Sequence, residues 1–209
     1  MTFYKVENTW INNDEPDPWK GLKLMALLNH TSLFEPLLLG AAPWSMLWRI
    51  AGRIISPGAD VTMDRPIAGK LLKYIAPKMM PISRKRDKTW DNFLNAIEPE
   101  SVVIIAPEGR MKRADGLDKN GKPMSVRSGV ADILEMLPGG KMVLVYSGGL
   151  HHVQVPGQGL PKLFKRIRLR CEKLDIKDYV AQMKANSDVS FHKAVVQDME
   201  ARMQRNVPK

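Results

Sequence analysis

The sequence predicts an α/β fold: a mainly parallel central sheet with flanking helices, in a single domain. Three observations lead there. Residues 22–28 (LKLMALL), 102–105 (VVII) and 142–146 (MVLVY) are short, nearly uninterrupted apolar runs of the kind that strands buried on both faces require. Between them lie stretches whose apolar residues recur at helical spacing, and strands alternating with helices imply a layered sheet. The 209 residues, 44% of them hydrophobic, can bury one sizeable core, and no repeat, low-complexity tract or linker divides them. Residues 22–209 are read as the domain, and residues 1–21 as an N-terminal extension.

The first strand ends at Asn29. Pro36 fits the first turn of a helix, where its missing N–H costs nothing; that helix is expected from about Pro36 to Ile55, with an interruption near Pro43. A second helical pattern, Gly69 to about Ile75, leads into Met79-Met80-Pro81-Ile82-Ser83-Arg84. Trp90, Phe93, Leu94 and Ile97 fall at i, i+3, i+4 and i+7, which predicts an amphipathic helix stopped by Pro99. The strand Val102–Ile105 runs into Pro107-Glu108-Gly109-Arg110, and a basic loop extends to about Arg127. Val130, Ile133, Leu134 and Leu137 mark the next helix, ended by Pro138-Gly139-Gly140, and Met142 to Tyr146 is the third buried strand. Arg166, Arg168 and Arg170 alternate with Ile167, Leu169 and Cys171, so this strand has one basic and one apolar face and is expected at a sheet edge. The closing helix is expected from about Asp188 to Gln204, with Val196, Met199 and Met203 on one face and Asp188 or Ser190 as its cap.

Composition excludes several classes. A lone Cys171 forms no internal disulfide, which argues against a disulfide-stapled scaffold and fits a reducing compartment. The first twenty residues carry Glu7, Asp14, Glu15 and Asp17 and no apolar run, so they do not read as a secretory signal. The longest charge-free stretch of interest to a bilayer, Pro36–Trp48, has 13 residues, against roughly 20 for a spanning helix. Four of the five tryptophans, at 10, 19, 44 and 48, stand near the start of the chain, and tryptophan favours sites half apolar and half wet. With 32 Lys+Arg against 22 Asp+Glu the net charge is +10, which favours nucleic acid, anionic lipid, a phosphorylated metabolite or an acidic carrier protein without choosing among them.

Chemistry is expected at the strand ends, because ligands of parallel sheets gather beyond the carboxyl ends of the strands. His30, just after the first strand, is a candidate general base, since histidine exchanges a proton near neutral pH. Such a base needs a carboxylate to fix its tautomer and stabilise the imidazolium. Glu35, at a helix start, stands where it can fold back to the ring. The plainer reading is a strand-end histidine bonded to a carbonyl, with Glu35 a helix cap.

Further residues shift the balance. Asn29-His30-Thr31-Ser32 followed by Glu35 resembles the first motif, N-H-x-S-x-x-D, of the glycerophospholipid acyltransferases, the 1-acyl-glycerol-3-phosphate (lysophosphatidate) acyltransferase family. Pro107-Glu108-Gly109-Arg110 resembles its third motif, F-P-E-G-T-R. Pro81-Ile82-Ser83-Arg84 stands in the place of the arginine-ending second motif, Ser128-Gly129 in that of the lysine/glycine segment, and Val143-Leu144-Val145-Tyr146 in that of the fourth motif. Coverage runs roughly from Lys23 to Asp175. Glu35 replaces the usual Asp, the threonine of E-G-T-R is missing, and the fourth motif lacks its proline. The family's common membrane-embedded N-terminal segment also has no counterpart here.

The resemblance implies an acyltransferase-like domain in which His30 deprotonates an acceptor hydroxyl that attacks the thioester of an acyl donor directly. Glu35 orients His30, Arg84 and Arg110 bind the acceptor's phosphate, and Glu108 and Gly109 shape the pocket. Guanidinium forks suit phosphate oxygens in bidentate geometry. The implied partners are acyl-CoA or acyl-carrier protein as co-substrate, a phosphorylated or lysophospholipid acceptor, and an anionic membrane surface; nucleic acid, metal and other cofactors are not expected. The implied location is cytoplasmic, peripheral on the inner face of the membrane.

Other residues read two ways. His151-His152 are structural, or metal ligands without a carboxylate or cysteine at metal spacing. Lys112 and Arg113 add to a phosphate site or solvate a loop, and the basic run from Lys162 to Lys173 faces anionic lipid or is an exposed strand face. Leu37, Leu38, Leu39, Trp44, Met46, Leu47 and Trp48 form a core helix or an interfacial one that lines an acyl groove. Two competing functions are a non-enzymatic basic module for anionic lipid or nucleic acid, and a metal hydrolase built on His30 with His151 or His152.

Overall fold

The computed structural model describes residues 4–12, 15–32, 35–59, 78–83, 86–155, 161–186 and 188–208. Among them are seven strands: β1 (Lys5–Ile11), β2 (Leu22–Leu28), β3 (Ile54–Ala59), β4 (Lys78–Ile82), β5 (Val102–Ile105), β6 (Lys141–Ser147) and β7 (Arg166–Asp175). Five α-helices accompany them: α1 (Trp44–Ile50), α2 (Lys88–Asn95), α3 (Gly129–Met136), α4 (Ile176–Ala185) and α5 (Phe191–Asn206). A 3-10 helix, Glu35–Ala41, precedes α1.

One sheet holds all seven strands in the order β1-β7-β6-β2-β5-β3-β4. From β6 to β4 every neighbouring pair is parallel, whereas β7 runs antiparallel to β6 and parallel to β1. The expected mainly parallel α/β sheet with flanking helices is thus present. Its polarity brings the carboxyl ends of β2, β5 and β6 to one edge, together with the amino ends of β7 and β1.

Alternation along the strands sends side chains into two cores. Leu24, Ala26, Leu28, Val103, Met142 and Leu144 pack on one face beneath Trp90, Phe93, Val130, Ile133, Tyr179 and Val195 of the helices. Met25, Val143, Val145, Ile167, Leu169 and Cys171 pack on the other against Trp19, Met46, Ile50, Leu150 and Val153. Full burial of one such aliphatic or aromatic side chain is worth roughly 1.5–3 kcal/mol. The apolar runs of β2, β5 and β6 are continuous because both faces of these central strands are covered.

Several expectations need correction. The boundary at residue 21 does not set an extension apart, because β1 pairs with β7 from Lys5↔Arg166 to Ile11↔Glu172 and Trp19 is buried beside Trp10. The same pairing makes β7 an inner strand, although its predicted alternation holds, with Ile167, Leu169 and Cys171 buried. The helix expected over 36–55 is a 3-10 helix and then α1; Pro43 is the N-cap of α1, and Ile54 and Ile55 belong to β3. Helix α4 was not anticipated, its weak apolar periodicity being outweighed by Asp175, whose carboxylate caps it by accepting Lys177 N–H at 2.9 Å. Ser190 is the N-cap residue of α5, with no side-chain cap bond. The helical pattern Gly69–Ile75 lies outside the described residues.

Candidate active site

The site starts with the way the chain leaves β2. Asn29 sits in the left-handed region at φ 65°, a conformation asparagine tolerates better than most residues. Its side-chain amide donates to Ser147 O at 2.8 Å, so the turn is tied to the end of β6. His30 follows, its carbonyl accepting Lys112 N–H at 2.7 Å.

The expected histidine–carboxylate pair is formed. His30 Nδ1 hydrogen-bonds Glu35 Oε2, and the other oxygen, Oε1, accepts Thr31 N–H at 2.7 Å. Glu35 is 3% exposed, so the 3-10 helix start delivers a buried carboxylate that grips the turn and the ring at once. An ionised Glu35 fixes the hydrogen on Nδ1 and leaves the lone pair on Nε2. The imidazole is 18% exposed, and no described residue bonds its Nε2. Burial disfavours the imidazolium, but the charge and hydrogen bond of Glu35 and the charge of Glu108 outweigh it, raising the His30 pKa above the ordinary histidine value.

Glu108 comes from the end of β5. Gly109 N–H closes a turn onto Ala106 O at 2.9 Å, with Pro107 and Glu108 in its central positions. Gly109 has φ 66°, a backbone conformation that favours glycine, and a Cβ there would also press on Arg127 Cδ and Nε at 3.1 Å. The turn aims Glu108 inward, where Oε2 accepts His30 N–H at 2.6 Å. Glu108 is 2% exposed, and among the described residues its buried Oε1 has no partner. Burial is the main reason its pKa rises to about 7, against the lowering effect of the His30 N–H bond.

The arginines divide. Arg110 Nη1 is paired with Asp118 Oδ2, whose other oxygen accepts Asn120 N–H at 2.7 Å and Lys122 N–H at 3.0 Å. The Lys122 N–H bond first, then the Arg110 pair and the Asn120 N–H bond, hold the Asp118 carboxyl down at about 2 against the raising effect of burial. Arg110 is thus tied to the loop through Nη1. Arg84 lies outside the described residues. The reading from sequence missed Arg127: its N–H donates to Pro107 O at 2.9 Å and its Nε to Glu108 O at 3.2 Å, while the residue is exposed and no described carboxylate pairs with it. Only its place two residues before Gly129, at the mouth of α3, could have flagged it.

Lys112 Nζ lies 3.5 Å from Asn29 Oδ1, close to the histidine. His151 Nε2 donates to Lys112 O at 2.7 Å and His152 Nε2 to Arg166 O at 2.6 Å, so both have structural partners. Among the described residues, the side chains spaced to hold a metal are Asp132, Glu135 and His192. There Asp132 already serves Arg86, Trp90 Nε1 and His192.

The arrangement presents a polarised imidazole, a buried glutamic acid and nearby cations at the carboxyl edge of the sheet. It can take a proton from a hydroxyl and hold an anion beside it. A model of the Acyltransferase family matches residues 12–149. The fold is similar to the crystal structure of the 1-acyl-sn-glycerophosphate (LPA) acyltransferase PlsC from Thermotoga maritima, with a TM-score of 0.54 and 17% identity over 99% of this chain and 75% of that one. No curated protein sequence gives a significant match.

Proposed function

The chain belongs to the acyltransferase family, and from that premise we propose that it carries a fatty acyl group from acyl-CoA or acyl-carrier protein to a hydroxyl of a glycerol-phosphate-type or lysophospholipid acceptor. The observation that carries this reading is the Glu35–His30 pair with Nε2 unpartnered among the described residues.

In the proposed step, Nε2 of neutral His30 takes the hydroxyl proton as the oxygen attacks the thioester carbonyl. Collapse of the tetrahedral intermediate breaks the C–S bond, and the departing sulfur takes the proton back from the imidazolium. The products are an ester and a free thiol. Glu35 keeps Nδ1 protonated and offsets the transient positive charge. Glu108 anchors the histidine's main chain. Arg127 and Lys112, with Arg84 by resemblance, are assigned to the acceptor's phosphate, which their positive charge supports. Direct transfer needs no protein nucleophile, and Cys171, buried in the sheet with its thiol pushed up to about 12, is unsuited to be one.

A lysophospholipid acceptor partitions into bilayers, so this reading includes a peripheral position at an anionic membrane surface. Trp44 and Trp48, each 77% exposed on α1, support it. No described helix is long and apolar enough to cross a membrane.

The test is incubation with a labelled long-chain acyl donor and a panel of phosphorylated and lysophospholipid acceptors, with products read by mass spectrometry. The expected result is an acylated acceptor from the wild-type chain and, for His30→Ala, a rate lower by at least ~10²-fold. Equal turnover by the variant removes His30 from the mechanism. Absence of any product, with phosphate or vesicle binding intact, favours the basic binding module.

A further inference from the structure

The loop between β5 and α3 forms a basic hairpin built onto the candidate site. Lys112 N–H donates to His30 O at 2.7 Å, so Arg113 stands one residue from a bond to the candidate base. Two tight turns follow. Arg113 N–H bonds Leu117 O at 2.8 Å, Asp118 N–H bonds Lys122 O at 2.8 Å, and Leu117 pairs with Pro123 in an antiparallel bridge. Asp118 fixes the second turn from inside, its Oδ1 accepting Asn120 and Lys122 N–H while its Oδ2 holds Arg110. This framework uses the main chain, Asp118 and Arg110, and leaves the other cationic side chains of the turns outside it.

Arg113, Lys119 and Lys122 are exposed, and among the described residues no carboxylate pairs with any of them. The hairpin's one exposed carboxylate, Asp115, accepts Leu117 N–H at 2.9 Å, so cations outnumber it three to one. Asn120, Gly121 and Pro123, which stand among the lysines, are exposed as well. The large apolar side chains exposed among the described residues are Trp44, Trp48, Met136, Leu163 and Phe164, and none belongs to this loop. The surface is therefore basic, polar and held in shape, and unlike α1 it offers a bilayer nothing to insert.

We propose that this hairpin docks the acidic surface of acyl-carrier protein, with that protein as the acyl donor. The inference rests on the acyl-transfer reading and names the donor for it. A folded acidic carrier spreads negative charge over a face, and cations distributed along two turns match a face in sign and extent. Because the turns are already closed by their own hydrogen bonds, docking incurs little cost for ordering them. The thioester stands at the end of the long pantetheine arm, so the carrier can rest on the hairpin while its acyl group reaches His30. Acyl-CoA brings the same arm without the acidic protein face, which makes the two donors separable.

The experiment compares wild type with Lys119→Gln/Lys122→Gln and Lys119→Glu/Lys122→Glu. Both lysines take part in the turn through their main chain only, so the neutral pair is expected to melt with the wild type, and it carries the test if the reversed pair loosens the turn. Binding of holo acyl-carrier protein without an acyl group is measured by calorimetry, and KM for acyl-carrier protein and for acyl-CoA by steady-state kinetics. The expected result is carrier affinity and carrier KM worse by about threefold for the neutral pair and about tenfold or more for the reversed pair, with a flatter salt dependence. The KM for acyl-CoA and kcat should stay within about twofold. Unchanged carrier affinity in both variants overturns the proposal. So does an equal rise in KM for both donors, which would make the lysines a general phosphate contact. A loss of anionic-vesicle binding with carrier affinity intact also overturns it and makes the hairpin a lipid contact. Failure of the acyl-transfer reading looks different: a wild-type chain that binds the carrier through Lys119 and Lys122 yet transfers no acyl group keeps the surface and loses the enzyme, whereas transfer from acyl-CoA without carrier affinity keeps the enzyme and loses the surface.

Discussion

Glu108 Oε2 accepts the main-chain N–H of His30 at 2.6 Å, so the turn after β5 holds the histidine by its backbone while Glu35 holds it by its ring. Two carboxyl groups from different strand ends converge on one residue. Glu35 acts on the proton, and Glu108 acts on position.

This division predicts different pH behaviour for Glu108. Its folded pKa, about 7, lies above the ordinary 4.5. A raised carboxyl pKa favours the folded state below the unfolded value, and that contribution is lost as pH rises from about 4.5 through about 7. The span corresponds to on the order of 3 kcal/mol. Glu108→Gln retains a carbonyl oxygen for His30 N–H but cannot ionise. The expected outcome is a Tm that falls less between pH 5 and 8 than that of the wild type. Parallel pH profiles for the two proteins would show that Glu108 does not titrate in this range.

For the His30–Glu35 pair the sign is opposite in consequence for activity. The raised His30 pKa means that the neutral base accumulates at a higher pH than it does for an ordinary histidine. Glu35→Gln removes the charge that raises it, so the acid limb of the rate profile is expected to move to lower pH. The plateau should fall, since an amide does not offset the imidazolium. An unshifted limb with an unchanged plateau reduces Glu35 to a cap.

The two arginines are expected to separate. Arg110→Ala leaves Asp118, 5% exposed at the side chain, without its cation, and should lower Tm, while the Asn120 and Lys122 N–H bonds to the carboxylate remain. Because the folded Asp118 pKa is depressed, the stability it contributes is present above pH 3.8 and lost as pH falls through about 2. Arg127→Ala removes an exposed guanidinium and should leave Tm near wild type, while raising KM for a phosphorylated acceptor by about tenfold. A Tm loss at Arg127 and a KM effect at Arg110 would reverse the assignment.

Such distinctions also explain what the sequence made legible. The runs at 22–28, 102–105 and 142–146 announced the central strands because both their faces are buried, and Asn29-His30 and Pro107-Glu108-Gly109 stood out as chemically costly ways to end them. β1 was hidden because it is half-exposed, with Lys5, Glu7 and Thr9 interrupting its apolar residues. The same strand then changes the meaning of β7, whose basic alternation reads as an edge until a parallel partner covers it. The pairing of Arg110 with Asp118 was not readable, since an eight-residue separation in a polar loop carries no periodic signal. Arg127 was not readable either, because its relation to Gly109 exists only once the turn has folded against α3.

The last prediction concerns the surface that brings a bilayer-resident acceptor to His30. Trp44 and Trp48 are four residues apart on α1, each 77% exposed, while Met46 and Ile50 of the same helix are buried in the core. The helix is thus anchored by one side and offers two indoles on another, an arrangement that suits insertion at the headgroup level. The strand region contributes Lys162, Lys165, Arg166 and Arg168, all outside the buried core, and each cation near an anionic surface adds roughly 1 kcal/mol before salt screening. Insertion and attraction are separate contributions, so they should fail separately. The wild-type chain is expected to sediment with anionic vesicles at low salt and to be partly released by high salt. Trp44→Ala/Trp48→Ala should bind more weakly at every salt concentration without a change in salt dependence, because it removes the uncharged contribution alone. Failure of the wild type to bind either neutral or anionic vesicles at low salt would end the interfacial reading and direct the search toward a water-soluble acceptor.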